Sequence, residues 1–334
     1  MTAEDWAYCK EMLPKVSRTF AACIGLLPPG LEEAVLVAYL LCRIADSIED
    51  SPDLADADKR RLLDAFAGSL SGGEPADLSA AFAAPRNDDE RLSAACGRTL
   101  ACYADLAARR RAAIRPWVEE MCRGMGGFAT GTRGDDLRAL ERLADLDRYC
   151  WFVAGTVGHL LTDLFRLEGH RYTAARYRRL KSLATSFGLG LQLTNIVKDV
   201  ADDAGRGWSF VPADLCRRMG LEPGQLFDGA HRDQARAVLA VLIAKAAKHL
   251  EDALEYCLAL PRSQYRVRLF CLTPLYFAVR TLRLARHDPQ LLDPAHKVKI
   301  TRGEVLRTIL VSRLVAPSNT LCRAYYRRLA AGGP

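Results

Sequence analysis

Residues 31–50 read LEEAVLVAYLLCRIADSIED, and this stretch decides the fold class. Its apolar side chains recur at three- and four-residue spacing, which is typical of an amphipathic helix. The stretch ends in three acids: Asp46 and Asp50 lie four residues apart and share a helix face, with Glu49 beside them. The same stripe also carries Tyr39 and Arg43. Because buried carboxylates must be paired or must coordinate a metal, this acidic end of an apolar helix indicates a functional interior.

A second stretch, GLGLQLTNIVKDVADD at 188–203, repeats the pattern. Asp199 and Asp203 are again four apart, and Asp202 is three residues from Asp199. The polar stripe of this helix continues through Gln192 and Asn195. A single acidic pair is usually a solvated helix face, but two on apolar helices are far less frequent by chance. Carboxylate oxygens suit Mg²⁺, so two facing clusters predict a metal-bridged diphosphate whose carbon–oxygen bond can ionise.

Helical periodicity also dominates the remaining sequence, and alternating strand patterns are hard to find. The helical segments are 31–45, 90–124, 143–167, 177–200 and 232–260. Breaks rich in Gly, Pro, Asn and Asp lie at 27–30, 69–76, 84–89, 124–136, 204–212 and 287–294. No break resembles an interdomain linker, so the pattern predicts one all-helical domain over 1–334.

Composition excludes several other classes. The chain has 334 residues, of which 50% are apolar and 26% charged, and its formal net charge is +7. This apolar content does not fit a disordered chain, and the length does not fit a disulfide scaffold. An odd set of eleven cysteines without a CxxC pair favours reduced thiols and a cytoplasmic protein. Neither a signal peptide nor a membrane-spanning run of roughly 18 apolar residues is found.

The basic residues leave one question open. Most are scattered as on solvated helix faces, and no nucleic-acid motif accompanies them, so we expect no nucleic-acid partner. The stretch LVSRLVAPSNTLCRAYYRRLAAGGP at 310–334 is basic and aromatic. It is consistent with either a surface helix or a peripheral contact at the inner membrane face.

Six segments together resemble the squalene/phytoene synthase family, and within it the squalene synthases. They are SRTF at 17–20, YLLCRIADSIED at 39–50, YCWFVAGTVGHLLTDLF at 149–165, QLTNIVKDVADD at 192–203, FCLTPLYFA at 270–278 and KVKITRGE at 297–304. The resemblance implies the single-domain, all-α class I isoprenoid (terpenoid) synthase fold with a central cavity. It also implies Mg²⁺, with Mn²⁺ as a substitute, and NADPH as cofactors.

The implied reaction joins two farnesyl diphosphate molecules head to head into presqualene diphosphate, which NADPH then reduces to squalene. Relatives that stop at presqualene diphosphate, or that make dehydrosqualene or phytoene, are the alternative. A non-catalytic assembly factor of the same fold is a remote one, since both acidic clusters are intact. The sequence leaves open the downstream pathway, the proton acceptor, the choice between NADPH and NADH, and the oligomeric state. A monomer is compatible with the sequence.

The resemblance carries roles onto individual residues. The metal ligands it implies are Asp46, Glu49, Asp50, Asp199, Asp202 and Asp203, and the diphosphate contacts are Ser17, Arg18, Arg43 and Lys198. The catalytic residues are Tyr149, Tyr39 and Arg43, with Tyr149 assisting proton loss. The cavity is lined by Phe20, Val153, Gly155, Gln192 and Asn195, and the cofactor contacts are Lys299, Arg302, Asn195 and Arg206.

Four positions depart from the family pattern. Asp202 replaces the usual glutamate, and Lys198 replaces an arginine, which keeps the charge but loses bidentate contact. Trp208 stands where the family often has arginine, in a loop at 204–212 that resembles a flap closing the site. Thr301 stands where an arginine is expected, with Arg302 next to it. The NADPH site would not be of Rossmann type, because no GxGxxG follows a strand.

Overall fold

The structure is a computed structural model that describes residues 3–128 and 137–332. The first helices are α1 (Ala3–Val16), α2 (Arg18–Ile24), α3 (Leu31–Asp50), α4 (Asp56–Leu70), α5 (Asp88–Ala94), α6 (Cys96–Asp105) and α7 (Ala108–Phe128). Strand β1 (Arg138–Ala139) precedes α8 (Leu143–Cys150), a π-helical segment (Trp151–Gly155) and α9 (Thr156–Arg166). Then come α10 (Ala174–Lys198), α11 (Val200–Gly205), β2 (Trp208–Ser209) and α12 (Ala213–Arg218). The last helices are α13 (Arg232–Ala259), α14 (Tyr265–His287), α15 (Arg302–Val315) and α16 (Asn319–Ala331).

The all-α prediction is confirmed, and several boundaries differ from the expected ones. The segment 90–124 is not one helix, because Ala95 and Leu106 leave helical geometry and separate α5, α6 and α7. The expected break at 124–136 begins later, since α7 continues to Phe128 and residues 129–136 lie outside the described chain. The second acidic stretch is also interrupted: α10 ends at Lys198 and Asp199 caps α11.

Contacts between the helices divide the chain into two compact units. The first holds residues up to Thr130 together with Thr156–Lys181, and α3 is its central helix. Thirteen of the twenty residues of α3 are buried, against α1, α4, α5, α6, α7 and α9 among others. From Ala34 onward its accessible positions form a narrow stripe of Tyr39, Arg43, Asp46, Ser47 and Asp50, and all of these except Ser47 were predicted from the sequence.

The second unit holds Gly131–Gly155 and Ser182–Pro334, and its core is built on the pair α13 and α14. The π-helical segment contacts α10 so closely that a Cβ on Gly188 would lie 2.0 Å from the Ala154 carbonyl oxygen. Only glycine fits there, because any side chain would collide with backbone. A Cβ on Gly155 would meet the Trp151 ring at 2.7 Å, so close packing explains this glycine as well.

The two short strands pair in parallel, Arg138 with Trp208 and Ala139 with Ser209. This pairing joins the 204–212 loop to the segment before α8. All eleven cysteines are buried and free of disulfides, as expected for small apolar core residues. In the described ranges no helix combines the length and apolarity needed to cross a membrane. The single domain and the central cavity stay predictions.

Candidate active site

The accessible stripe of α3 gathers the predicted residues of the first cluster. Tyr39, Arg43 and Asp46 are half-buried and Asp50 is exposed, whereas the positions beside them are buried except for the half-buried Ser47. Positions four, seven and eleven residues apart lie on one side of a helix. Folding therefore leaves a single polar line open on an otherwise apolar helix, which is the arrangement of a site rather than of a solvated face.

At Tyr39, the stripe lies next to α2 and its capping residue Ser17. The Ser17 side chain caps α2 by accepting a hydrogen bond of 3.2 Å from the Phe20 backbone N–H. Burial raises the pKa of Tyr39, and a hydrogen bond with the Ser17 side chain acts in the opposite direction. The Phe20 and Tyr39 rings lie 5.5 Å apart. The structure thus brings three predicted residues together, while the Arg18 side chain lies outside the part of the chain that is described.

Sequence reasoning missed a partner of Arg43. The Arg43 guanidinium donates two hydrogen bonds of 2.8 Å to the Asp89 carboxylate, through Nε and Nη2. Such a bidentate pair fixes the plane and position of the guanidinium. Asp89 lies in the acidic run NDDE at 87–90, where Asn87 caps α5. The run was visible in the sequence, but its contact with α3 spans 46 residues and has no local signal.

Asp46 lies in an electrostatically strained position. Its Oδ2 is 3.8 Å from Arg43 Nη1. Burial raises the pKa of Asp46 to about 7, with Asp50 and Asp89 adding to the rise and Arg43 opposing it. Glu49 is only 8% exposed, and its backbone carbonyl accepts a hydrogen bond of 2.5 Å from Lys59 Nζ. Asp46 and Asp50 are therefore the accessible carboxylates of this cluster.

In the second unit, each acid of the second cluster has a basic partner. Asp199 pairs with Lys198, and Asp203 pairs with Arg206. Asp202 Oδ2 lies 2.9 Å from Lys297 Nζ, and this hydrogen bond lowers the pKa of Asp202. Lys297 was also missed from the sequence, although it is the first residue of the KVKI segment.

The helix break at Asp199 places Asp202 and Asp203 on α11, separate from the polar residues of α10. The backbone turns at Asp199, yet the N–H groups of Asp199 and Asp203 still donate to the carbonyls four residues earlier, at 2.8 Å in both cases. Asp203 is buried at 7% exposure and Asp202 is half-buried. On the preceding turn, Gln192 is half-buried and Asn195 is exposed. The polar stripe is thus present, but its residues differ in how deeply they are buried.

Tyr149 belongs to an aromatic stack in the second unit. It is 6% exposed, and its ring stacks on Phe210 at 4.7 Å, which in turn stacks on Trp208 at 6.1 Å. The Arg138 guanidinium lies 4.8 Å over the Trp208 ring. The loop that resembles a flap therefore covers Tyr149 with aromatic faces, which attract cations electrostatically. Val153 is half-buried in the π-helical segment that follows, and π-bulges frequently mark functional sites.

Of the predicted cofactor residues, Lys299 lines a basic cavity of about 480 Å³, whereas Arg302, Asn195 and Arg206 do not. Its basic lining residues are Arg280, Arg283, His287, His296, Lys297 and Lys299. Lys299 is exposed at its edge, whereas Arg302 begins α15 and Thr301 caps that helix with a hydrogen bond to the Glu304 N–H. A cavity lined in this way fits a polyanionic cofactor, and Lys297 lies both in it and against Asp202.

The donor chemistry of both clusters fits Mg²⁺. All candidate ligands are carboxylate oxygens, which hard divalent cations prefer. Within residues 3–128 and 137–332, no three His, Cys, Asp or Glu side chains are grouped so as to hold a metal by themselves. Mg²⁺ commonly binds one or two carboxylates and completes its shell with water and substrate phosphates. The residues therefore suit a metal that binds together with a diphosphate.

Comparisons with known proteins agree on one family. The family model of squalene/phytoene synthase matches residues 13–304. The squalene synthase of Cyberlindnera jadinii is 30% identical over 321 residues, 96% of this chain and 70% of that protein. That of Schizosaccharomyces pombe is 28% identical, over 91% of this chain and 64% of its own length. The solved complex of TcSQS with ligand BPH1237 covers 99% of this chain and 93% of its own, with a TM-score of 0.83 and 28% identity.

Proposed function

Because the chain belongs to the squalene/phytoene synthase family, we propose that it condenses two farnesyl diphosphates into presqualene diphosphate and reduces this product to squalene with NADPH. The family and the curated relatives establish an enzyme of the prenyltransferase type. The finer assignment of two half-reactions, two cofactors and individual residues is the proposal. The observation that carries it is the polar stripe of α3, where accessible acids and a fixed arginine interrupt a buried helix.

In this proposal the two acidic clusters bind Mg²⁺, and basic and hydroxyl side chains position a diphosphate. Asp46 and Asp50 would bind Mg²⁺ in the first unit, with Glu49 beneath them, and Asp199, Asp202 and Asp203 in the second. When bound, Mg²⁺ neutralises the charge that develops on a departing diphosphate. Arg43, held in place by Asp89, would donate to diphosphate oxygens. Ser17, Arg18 and Lys198 would supply further donors.

The electrostatics of Asp46 are consistent with a cation-binding role. A carboxyl whose pKa is raised by burial and by neighbouring acids favours its charged form only when a cation is nearby. Each acid of the second cluster lies against a basic side chain, and the hydrogen bond from Lys297 lowers the pKa of Asp202. Binding of Mg²⁺ to these acids would compete with Lys198, Arg206 and Lys297.

Aromatic faces would protect the carbocation. Tyr149 would assist proton loss from the condensed cation, with Phe210 and Trp208 shielding it from water. Tyr39, which lies against Phe20 and Ser17, would add an aromatic face in the first unit. Val153, Gly155, Gln192 and Asn195 would border the isoprenoid chains. The reductive half would use the basic cavity, with Lys299 as a contact of NADPH and Arg302, Arg206 and Asn195 as further ones.

The experiment is product analysis with purified protein, farnesyl diphosphate and Mg²⁺, with and without NADPH. We expect presqualene diphosphate without the nicotinamide and squalene with it. Dehydrosqualene, with NADPH present, would place the chain with the non-reducing members of the family. No conversion in either condition would favour a non-catalytic relative.

A further inference from the structure

Helix α15 buries small polar residues and exposes leucines. Its buried positions include Thr308 and Ser312, at 4% and 0% exposure, whereas Leu306, Leu310 and Leu314 are 63%, 59% and 74% exposed. Both buried hydroxyls have partners: Ser312 Oγ donates to the Thr308 carbonyl at 2.7 Å, and Thr308 Oγ1 accepts a hydrogen bond of 3.4 Å from the Tyr325 hydroxyl of α16. A helix that places its small polar residues inward and its leucines outward gains nothing in water from the exposed leucines. The outward face therefore suits an apolar surrounding.

Three of the exposed leucines form one face of α15. Leu306, Leu310 and Leu314 follow each other at four-residue spacing, and Leu321, 50% exposed, lies in the first turn of the neighbouring helix α16. We refer to these four residues as the leucine face. They are the large hydrophobic side chains exposed in the described part of the chain. Their concentration on α15 and the start of α16, rather than scatter over the surface, marks an interaction site.

Two arginines flank the leucines of α15 in a basic stretch of the chain. Residues 298–334 contain seven lysines and arginines and one acid, Glu304. That acid is paired with Arg280 at 2.6 Å. Arg307 and Arg313 are exposed on α15, and the helical repeat of 100° per residue places them on opposite flanks of the leucines. Nearly all of the chain's net charge of +7 therefore belongs to this last segment.

We propose that α15, with the start of α16, docks on the surface of an anionic lipid bilayer. The leucines would enter the boundary of the acyl chains, and the flanking arginines would contact lipid phosphates, as in interfacial amphipathic helices. A second copy of the chain is the less suitable occupant. An isologous contact through this face would bring the same arginines of both copies together, and like charges repel. A bilayer satisfies the leucines and the arginines at once.

The test is cosedimentation of the full chain with vesicles of phosphatidylcholine and phosphatidylglycerol, and with vesicles of phosphatidylcholine alone. The variant Leu306→Gln/Leu310→Gln/Leu314→Gln should lower partitioning to the anionic vesicles by at least about a hundredfold. Arg307→Gln/Arg313→Gln should lower it by roughly thirtyfold. As a matched control, Arg178→Gln/Arg262→Gln removes two exposed charges elsewhere and should change it by less than about twofold. Salt should weaken the binding of the wild type.

Two results would overturn the proposal. One is equal vesicle binding by the wild type and the leucine variant. The other is a wild type that self-associates in sedimentation velocity without binding vesicles, with a monomeric leucine variant, which would assign the face to a second copy. Circular dichroism checks that the variants fold, and the arginine pair tests the same surface with the leucines intact. Prenyl transfer in detergent-free buffer is measured in parallel, so that failure of docking and failure of the proposed reaction are distinguishable.

Discussion

Replacing Asp89 with asparagine tests how α5 holds Arg43 against α3. The carboxylate accepts two hydrogen bonds of 2.8 Å from the guanidinium. Asparagine keeps one acceptor oxygen but turns an amide donor toward the second N–H, so one bond and the charge are lost. A hydrogen bond to a charged group contributes about 1.5–3 kcal/mol. Because both side chains are about a third exposed, solvent screening reduces the expected loss to about 1–2 kcal/mol of unfolding free energy.

The same substitution should alter the first half-reaction. Without Asp89, Arg43 can move toward Asp46, whose Oδ2 is already 3.8 Å away. Both the closer cation and the missing acid lower the pKa of Asp46 from its value of about 7. We therefore expect kcat/KM for presqualene diphosphate formation to fall about tenfold, corresponding to about 1.4 kcal/mol. The acidic limb of its pH profile should move to lower pH.

Urea unfolding and a radiolabelled farnesyl diphosphate assay measure the two effects. Asp88→Asn is the matched control, because Asp88 belongs to the same helix and pairs with Arg91 at the exposed surface. An exposed pair of this kind contributes about 0–1 kcal/mol, so the control should keep its activity and pH profile. If Asp89→Asn behaves like Asp88→Asn in both assays, Asp89 does not position Arg43.

Three further predictions concern packing, pH and the reductive half. Gly188→Ala should lower the unfolding free energy, measured by urea titration, by about 2 kcal/mol or more, since its Cβ would overlap backbone. The control Gly97→Ala has open space around the Cβ and should leave the unfolding free energy unchanged or raise it. Burial, aided by Lys181, lowers the pKa of His159 from 6.5 to about 4. Below pH 6.5 the unfolded chain therefore binds a proton at His159 that the folded chain does not bind. Stability is lost as pH falls toward 4, by at most about 3 kcal/mol. His159→Gln should reduce this loss, and an unchanged dependence of unfolding free energy on pH would contradict the assignment. Lys299→Ala should weaken squalene formation at least tenfold and leave presqualene diphosphate formation within about twofold, measured by quantifying both products; equal loss of both would refute this division.

The fold class could be predicted because it depends on local patterns. The apolar spacing in residues 31–50 produced α3 as expected, with its acids on an open stripe. The divisions at Ala95 and Asp199 could not be predicted, because a change of one residue's backbone geometry leaves the apolar spacing intact. Periodicity reports which side of a helix is apolar, and it does not report where that helix is interrupted.

The site was predicted less completely because its partners are distant in sequence. Asp89 and Lys297 each pair with a predicted residue, 46 and 95 positions away. The acids of the second cluster looked like free ligands in the sequence, yet each has a basic partner. The inverted burial of α15 was also invisible, because its leucines and hydroxyls follow the same helical repeat whichever side faces the core.

The proposed reductive reaction is tested most directly by tracing the hydride that NADPH transfers to the product. Purified protein is incubated with farnesyl diphosphate, Mg²⁺ and NADPH that carries deuterium in the transferable position, and the hydrocarbon product is examined by mass spectrometry. We expect squalene with a single deuterium at its centre. Hydrocarbon products without deuterium, or accumulation of presqualene diphosphate in the presence of the labelled cofactor, would contradict this expectation.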